Sequence, residues 1–152
     1  MPAASVAALF VRPRIDLARD SIEVQASPDE LLETFRKRFG DSPDDILAIE
    51  HDRLVRRFSG SEGPFTFNTV EVIRYEKDAI TFEHLAGPFS ECTERFEFVA
   101  TESDTTMLTH SGSFALRGGL WTAPLAVGPV KKAFEAHVRG HFENLAADFA
   151  TS

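Results

Sequence analysis

Two carboxylates and two histidines, Glu71, His84, Glu94 and His110, stand at spacings that let one antiparallel sheet bring them together. A turn sets the register. In "EVIRYEKDAITFEH" the pair Lys77-Asp78 has the length and polarity of a two-residue hairpin turn, which pairs Tyr75 with Ile80. Counting back by twos sets Ile73 opposite Phe82 and Glu71 opposite His84, all on one face, because strand side chains alternate with a period of two. In the next hairpin, turning near "TESD", Cys92, Glu94, Phe96 and Phe98 share a face, with Leu108, His110, Gly112 and Phe114 on the corresponding face of the partner strand. If these faces look inward, the four ionisable groups converge within an apolar row.

A carboxylate beside an imidazole can do general acid/base work. Burial raises the carboxylate pKa, a neighbouring imidazolium lowers it, and enolisation or dehydration needs a group tuned in this way. The same arrangement also serves as a structural or ligand-orienting pair, since removing one member of a buried ion pair commonly costs ~3–5 kcal/mol. A slip of one residue in register would turn all four side chains to water, where they need no explanation. The candidate acid/base set is therefore Glu71, His84, Glu94 and His110. The candidate ligand contacts are Phe67, Ile73, Tyr75, Phe82, Phe96, Phe98, Leu108, Phe114, Trp121, Phe134, Val138 and His141.

Other chemistries find less support. His137 and His141 stand four apart on a helical stretch, a spacing that suits one metal ion, but "HVRGH" lacks the glutamate of the zinc-protease motif and no third ligand is fixed, so no metal is expected. No GxGxxG or GxxxxGK cradles a phosphate, and no Gly-x-Ser-x-Gly elbow presents a nucleophile. "DSPDD" fits a helix start better than a calcium loop. No cofactor is implied.

The elements that must position the four groups follow from pattern. After an extension over residues 1–13, Ile15 and Leu17 share one strand face, while Ile22, Val24 and Ala26 alternate in the opposite phase; a bulge near Arg19 and Asp20 reconciles them. In "SPDELLETFRKRFG" Ser27 caps a helix, Pro28 suits its first turn, Glu30 completes a capping box, and Gly40 suits a left-handed exit. "DSPDDILAI" predicts a second brief helix from about Pro43 to Ile49. From Arg53 to Leu116 come about five strands with short links, which implies an antiparallel meander. A long helix ends the chain, with Phe134, Val138, His141, Leu145 and Phe149 at helical spacing and Gly140 suggesting a close packing partner. Only this helix is long enough to cover the sheet, so the sheet must bend around it, and Gly87-Pro88 supplies a bend. Trp121 precedes the helix as a lid over a cavity mouth or as an anchor of the linker.

Bulk composition narrows the function classes. The 152 residues suit one domain, and 24 acidic against 16 basic residues give a net charge of −8, which repels phosphate backbones and excludes nucleic acid as a partner. One cysteine forms no internal disulfide, while fourteen phenylalanines supply a core, so a reducing, cytoplasmic setting is expected. No stretch reaches the roughly 20 apolar residues of a membrane span. A homodimer is left open.

The element order, "LAGPFSECTERFEF" and the ending "GPVKKAFEAHVRGHFENLAADF" resemble the SRPBCC or START-like helix-grip superfamily, in particular its polyketide cyclase/dehydrase and lipid-transport branch. Coenzyme Q-binding proteins of that superfamily have a similar Gly-Pro-Phe followed by an aromatic pair. The resemblance spans residues 14–150, as a single domain. It implies an α+β helix-grip fold, a curved antiparallel sheet wrapped around a long C-terminal helix with two short helices after the first strand, enclosing a hydrophobic cavity. It further implies a bacterial protein that binds a small lipid-, polyketide- or isoprenoid-like ligand. The alternative is a cofactor-free cyclase, aromatase or dehydratase using the Glu/His set, and a third is a partner-binding module. No motif matches a known catalytic set of the superfamily.

Overall fold

A computed structural model of the protein describes residues 14–62, 64–102, 104–117 and 123–150; the N-terminal extension and Trp121 lie outside the described residues. Eight strands form one antiparallel sheet in the order β1-β8-β7-β6-β5-β4-β3, with β2 also paired to β8. These are β1 (Ile15–Asp16), β2 (Asp20–Val24), β3 (Ile46–Glu50), β4 (Arg53–Glu62), β5 (Phe65–Tyr75), β6 (Ala79–Ala86), β7 (Phe89–Glu102) and β8 (Thr105–Leu116). Helix α1 (Pro28–Gly40) follows β2, and after β8 come a single turn α2 (Ala123–Leu125), a π-helical turn (Ala126–Val130) and the long helix α3 (Lys131–Ala150). The fold is the expected α+β helix-grip.

Local chemistry explains the start of α1. The Ser27 hydroxyl accepts the Glu30 amide at 3.4 Å, and the Glu30 carboxylate accepts the Ser27 amide at 2.9 Å, so two otherwise orphaned donors are satisfied reciprocally. Gly40 ends the helix without a left-handed step, since Asp41 behind it keeps φ −70°. Pro43–Asp45 forms only one 3-10 turn, and Ile46–Glu50 pairs with β4 instead of continuing a helix. That stretch is mostly exposed, so it has no buried helical face to hold it, whereas the edge of β4 offers a ladder.

Irregular pairing bends the sheet. Asp16 opposes Ser113 and Asp20 opposes His110, so three residues of the first strand region face two of β8, a bulge where the phase change of the sequence requires one. A second bulge sits at Val70/Glu71, and a third lies between Ser90 and Thr93, where Glu91 takes φ 54°. The ladder between β6 and β7 stops at Glu83–Thr93; beyond it β6 stays with β5 and β7 with β8, so the two strands part around His84. Gly87-Pro88 closes this wide turn. Gly87 has φ +130°, and a Cβ there would stand 2.9 Å from Thr69 Cγ2 and 3.0 Å from the Asn68 carbonyl, so only glycine fits.

Inside the curve, α1 contributes buried Leu31 and Phe35, and α3 contributes Val138, Phe142 and Leu145. They pack on Ile73, Ile80, Phe98 and Leu108 of the sheet, so both helices, not α3 alone, cover it. Phe142, fully buried, turns the inward face of α3 away from the line through His141. No atom stands within 4 Å of the Cβ position at Gly140, so that glycine marks open space rather than close packing. A smaller cluster of Leu17, Cys92, Phe114 and Ala126 closes the other end.

Candidate functional site

Between those two packed regions lies a cavity of about 380 Å³. Phe35 and Phe39 of α1, Phe58 of β4, Phe67 of β5, Phe82 of β6, Phe89 and Phe96 of β7, and Phe134 and Val138 of α3 supply its apolar wall. Thr66, Pro88 and His137 line it while remaining exposed, so the mouth opens between the start of β5, the Gly87-Pro88 turn and the middle of α3. Glu71, His84 and Glu94 line the opposite, buried side.

The register that gathers them is the one set by the Lys77-Asp78 turn: Tyr75–Ile80, Ile73–Phe82 and Glu71–His84 are paired across β5 and β6, and Phe98–Leu108 and Phe96–His110 across β7 and β8. His84 Nε2 stands 3.3 Å from both Glu71 Oε1 and Glu94 Oε2. His110 Nε2 stands 3.0 Å from Glu94 Oε1, with its ring 4.8 Å from that of Phe96. Thr69 donates its hydroxyl to Glu71 Oε1 at 2.6 Å. The four groups form one chain, Glu71–His84–Glu94–His110. The His84 and His110 side chains retain 4% and 2% of their exposure, the carboxylates 10% and 12%.

Electrostatics divide the two carboxylates. Burial opposes charge on Glu94, but hydrogen bonds from His110 and His84 together with their fields outweigh it and hold Glu94 well below the usual carboxylate range. Glu71 goes the other way: burial raises its pKa, reinforced by Glu94 and offset only in part by His84 and the Thr69 hydroxyl. Burial works against a charged His84, yet the hydrogen bond to Glu94 and the fields of both carboxylates raise its pKa above the ordinary value. An ionised carboxylate can only accept, so both Nε2 atoms facing Glu94 carry hydrogen. The other ring nitrogen of His84, Nδ1, is buried and has no hydrogen-bond partner among the described residues.

Of the residues singled out from the sequence, Glu71, His84, Glu94, Phe67, Phe82, Phe96, Phe134, Val138 and His141 line the cavity. His110 reaches it only through Glu94. Ile73, Phe98 and Leu108 do not line it, because α1 and α3 fill the space over them with Phe35, Phe142 and Leu145. Phe114 is covered by Phe134, stacked at 5.8 Å, and Tyr75 is engaged by the Arg36 guanidinium 4.8 Å from its ring. Phe35, Phe39, Phe58 and Phe89 are lining residues the pattern did not assign to the cavity, and His137, noted for its spacing from His141, lines it too. Phe89 belongs to the "GPF" stretch, whose bulge carries it out of the simple alternation, and His137 lies with its ring 5.9 Å from that of Phe67. His141 packs its ring against Phe35 at 6.0 Å, and burial, with Arg38 and His137 nearby, lowers its pKa.

Among the described residues, His84, Cys92 and Glu94 bring one potential metal-ligand atom each within 4.8 Å of one another. Both Glu94 oxygens already accept from imidazoles, and burial, with Glu94 and Glu71 nearby, pushes the Cys92 thiol far up. The donor set as it stands suits a proton-sharing network. His137 and His141 belong to no such group.

No protein-family model matches the sequence. No curated protein matches it either. Solved structures do. TTHA0849 of Thermus thermophilus superposes with a TM-score of 0.74 at 15% identity, over 90% of this chain and 98% of that one. The Zhui aromatase/cyclase of Streptomyces sp. R1128 gives 0.65 at 13% identity, over 86% and 94%. A START superfamily protein of Mycobacterium smegmatis gives 0.56 at 20% identity, over 83% and 99%. At these identities the likeness is one of fold, and the fold is START-like helix-grip. Among the described residues no helix is long and apolar enough to cross a membrane.

Proposed function

We propose that this START-like helix-grip protein binds a small hydrophobic molecule, lipid-, polyketide- or isoprenoid-like, in the cavity between sheet and α3. The observation that carries the reading is a space of about 380 Å³ with an almost wholly aromatic and aliphatic wall and one polar cluster on its buried side. Such a space falls in the ~300–1,000 Å³ range of small-molecule sites, which pair apolar walls with a few placed polar groups. Removal of the ligand's apolar surface from water drives binding, and the cluster fixes its orientation. A partner-binding module needs no such hollow.

The test is native mass spectrometry of freshly purified protein, followed by extraction and identification of what it carries. A stoichiometric apolar compound supports the proposal; an empty protein that also fails to take up any of a panel of isoprenoids, fatty acids and aromatic ketones overturns it.

One observation favours a second reading. Glu71 is buried, raised toward neutrality and 3.3 Å from an imidazole, which suits a group that takes and returns a proton during cyclisation or dehydration of a polyketide-like chain. Glu71→Gln would then abolish turnover of such a chain while leaving its binding intact. Equal turnover by the variant and the parent protein removes this reading.

A further inference from the structure

We infer that the ligand carries a neutral, hydrogen-bond-accepting oxygen, a ketone or enone carbonyl, which takes the Nδ1 hydrogen of His84, and that carboxylate ligands are excluded. The inference rests on the cavity reading above and names the ligand class for it. Its starting point is an anomaly: a side chain with 4% of its exposure left lines the cavity and keeps one ring nitrogen buried without a partner. Buried polar atoms in folded proteins are nearly always paired, so an exception asks for an absent partner.

What that partner must be follows from the other end of the ring. Nε2 is committed as a donor toward Glu94, with Glu71 at the same 3.3 Å distance. The two carboxylates facing the ring favour its doubly protonated form, in which Nδ1 is also a donor. A donor on a cation makes a stronger hydrogen bond than a neutral one. Phe89 stands 5.6 Å from the His84 ring centroid and most of the cavity wall is apolar, so an oxygen on an otherwise apolar ligand meets little alternative there.

The sign of the ligand's charge follows from the same cluster. Among the described residues two carboxylates line the cavity, and no lysine or arginine does. His84 already faces both carboxylates, and the other lining histidines, His137 and His141, stand on α3. A ligand carboxylate brought beside Glu71 and Glu94 would add a buried anion where the Nε2 hydrogens of His84 and His110 are already committed to Glu94. A carbonyl oxygen accepts the hydrogen without adding charge.

Three compounds of one ring system test this: tetralin, 1-tetralone and 1,2,3,4-tetrahydronaphthalene-1-carboxylate, titrated by calorimetry at neutral pH. The wild-type protein is expected to bind 1-tetralone at least tenfold more tightly than tetralin, and the carboxylate more weakly than either. In His84→Gln the amide nitrogen can replace Nε2 toward Glu94 while nothing replaces Nδ1. That variant should lose the preference for the ketone and bind tetralin and 1-tetralone with equal affinity. Wild-type binding of tetralin and tetralone with equal affinity, a preference that survives in His84→Gln, or a carboxylate that binds best would overturn the inference and leave the cavity reading standing. If neither tetralin nor tetralone binds, the cavity reading itself fails. Should His84→Gln misfold, His84→Asn, which keeps a donor near Nδ1 and gives up Nε2, must retain the ketone preference.

Discussion

The same four strands build a solid region and a hollow one, and two to four residues separate them. On β5 the solid residue is Ile73 and the hollow one Glu71; on β6 they are Ile80 and His84; on β7, Phe98 and Glu94; on β8, Leu108 and His110. At the first set the helices press Phe35, Phe142 and Leu145 onto the sheet, and the four strand residues are buried apolar side chains. At the second the strands part at the Gly87-Pro88 turn, the helices leave a cavity over the sheet, and polar side chains face it. Curvature therefore divides the sheet: alternation points all eight residues inward, and the bend decides which of them pack in the core and which face the cavity, directly or, for His110, through Glu94. Phe82 and Phe96 stand on the border, belonging both to the packed core and to the cavity wall.

The contrast predicts where stability resides. Phe142→Ala removes a fully buried ring from the solid region and should cost about 3–5 kcal/mol, read as a lower urea midpoint. Phe67→Ala, at the half-buried cavity wall, should cost less than about 1.5 kcal/mol yet weaken ligand binding, because its ring is only partly buried and lines the cavity. Equal losses of stability in the two variants would erase the distinction between regions.

Within the cluster the two carboxylates should separate as well. Glu94→Gln removes the charge and turns one of the two oxygens that accept from buried imidazoles into a donor, and should cost about 3 kcal/mol, near the lower end of the ~3–5 kcal/mol for breaking a buried pair. Glu71→Gln should change stability by less than about 1 kcal/mol, because burial already disfavours its charge. Urea unfolding of both at neutral pH compares them directly, and a larger loss at Glu71 than at Glu94 would reverse the assignment.

The pH profile sharpens the same point. Glu94 titrates lower in the folded chain than unfolded, so its contribution is present above the ordinary carboxylate pKa and is lost as pH falls through its depressed folded value. His84 titrates higher when folded, so its contribution is complete below the ordinary histidine pKa and is lost as pH rises through its raised folded value. Glu71, also raised, adds loss in the same alkaline direction. Stability should pass through a maximum between the ordinary carboxylate and histidine values. The acid limb should flatten in Glu94→Gln and the alkaline limb in His84→Gln. Unchanged limbs in both would show that other groups govern the profile.

The smallest effect is expected at the mouth. His137→Ala, at an exposed lining position, should leave stability within about ±0.5 kcal/mol while speeding ligand exchange, measured by stopped-flow displacement. An exchange rate identical to the parent's would move the mouth elsewhere.

Much of this was legible in the sequence because two kinds of signal are strictly local. A two-residue turn at Lys77-Asp78 leaves one register for β5 and β6, and with it the approach of Glu71 to His84; Ser27 and Glu30 announce the start of α1 in the same way. What was hidden depends on distant packing. "ILAI" at residues 46–49 has no periodic face to tell strand from helix, and it becomes β3 because β4 has an open edge. Whether Leu108 or Phe114 would line a cavity or sit in a core depended on how closely α1 and α3 approach, which no spacing encodes. Phe142 escaped for a related reason: the helical stripe of α3 admits two neighbouring faces, and contact with Phe96 on β7, with ring centroids 6.0 Å apart, selects the one that buries it.

The central claim is that the hollow half takes up an apolar molecule while the solid half does not change. Methyl-resolved NMR during titration with tetralin addresses it directly. Resonances of Leu116, Val130 and Val138, which line the cavity, should shift saturably, while those of Ile73, Ile80 and Leu108 stay in place. Shifts confined to exposed methyls such as Ile49 and Val99, or none at any concentration, would contradict it.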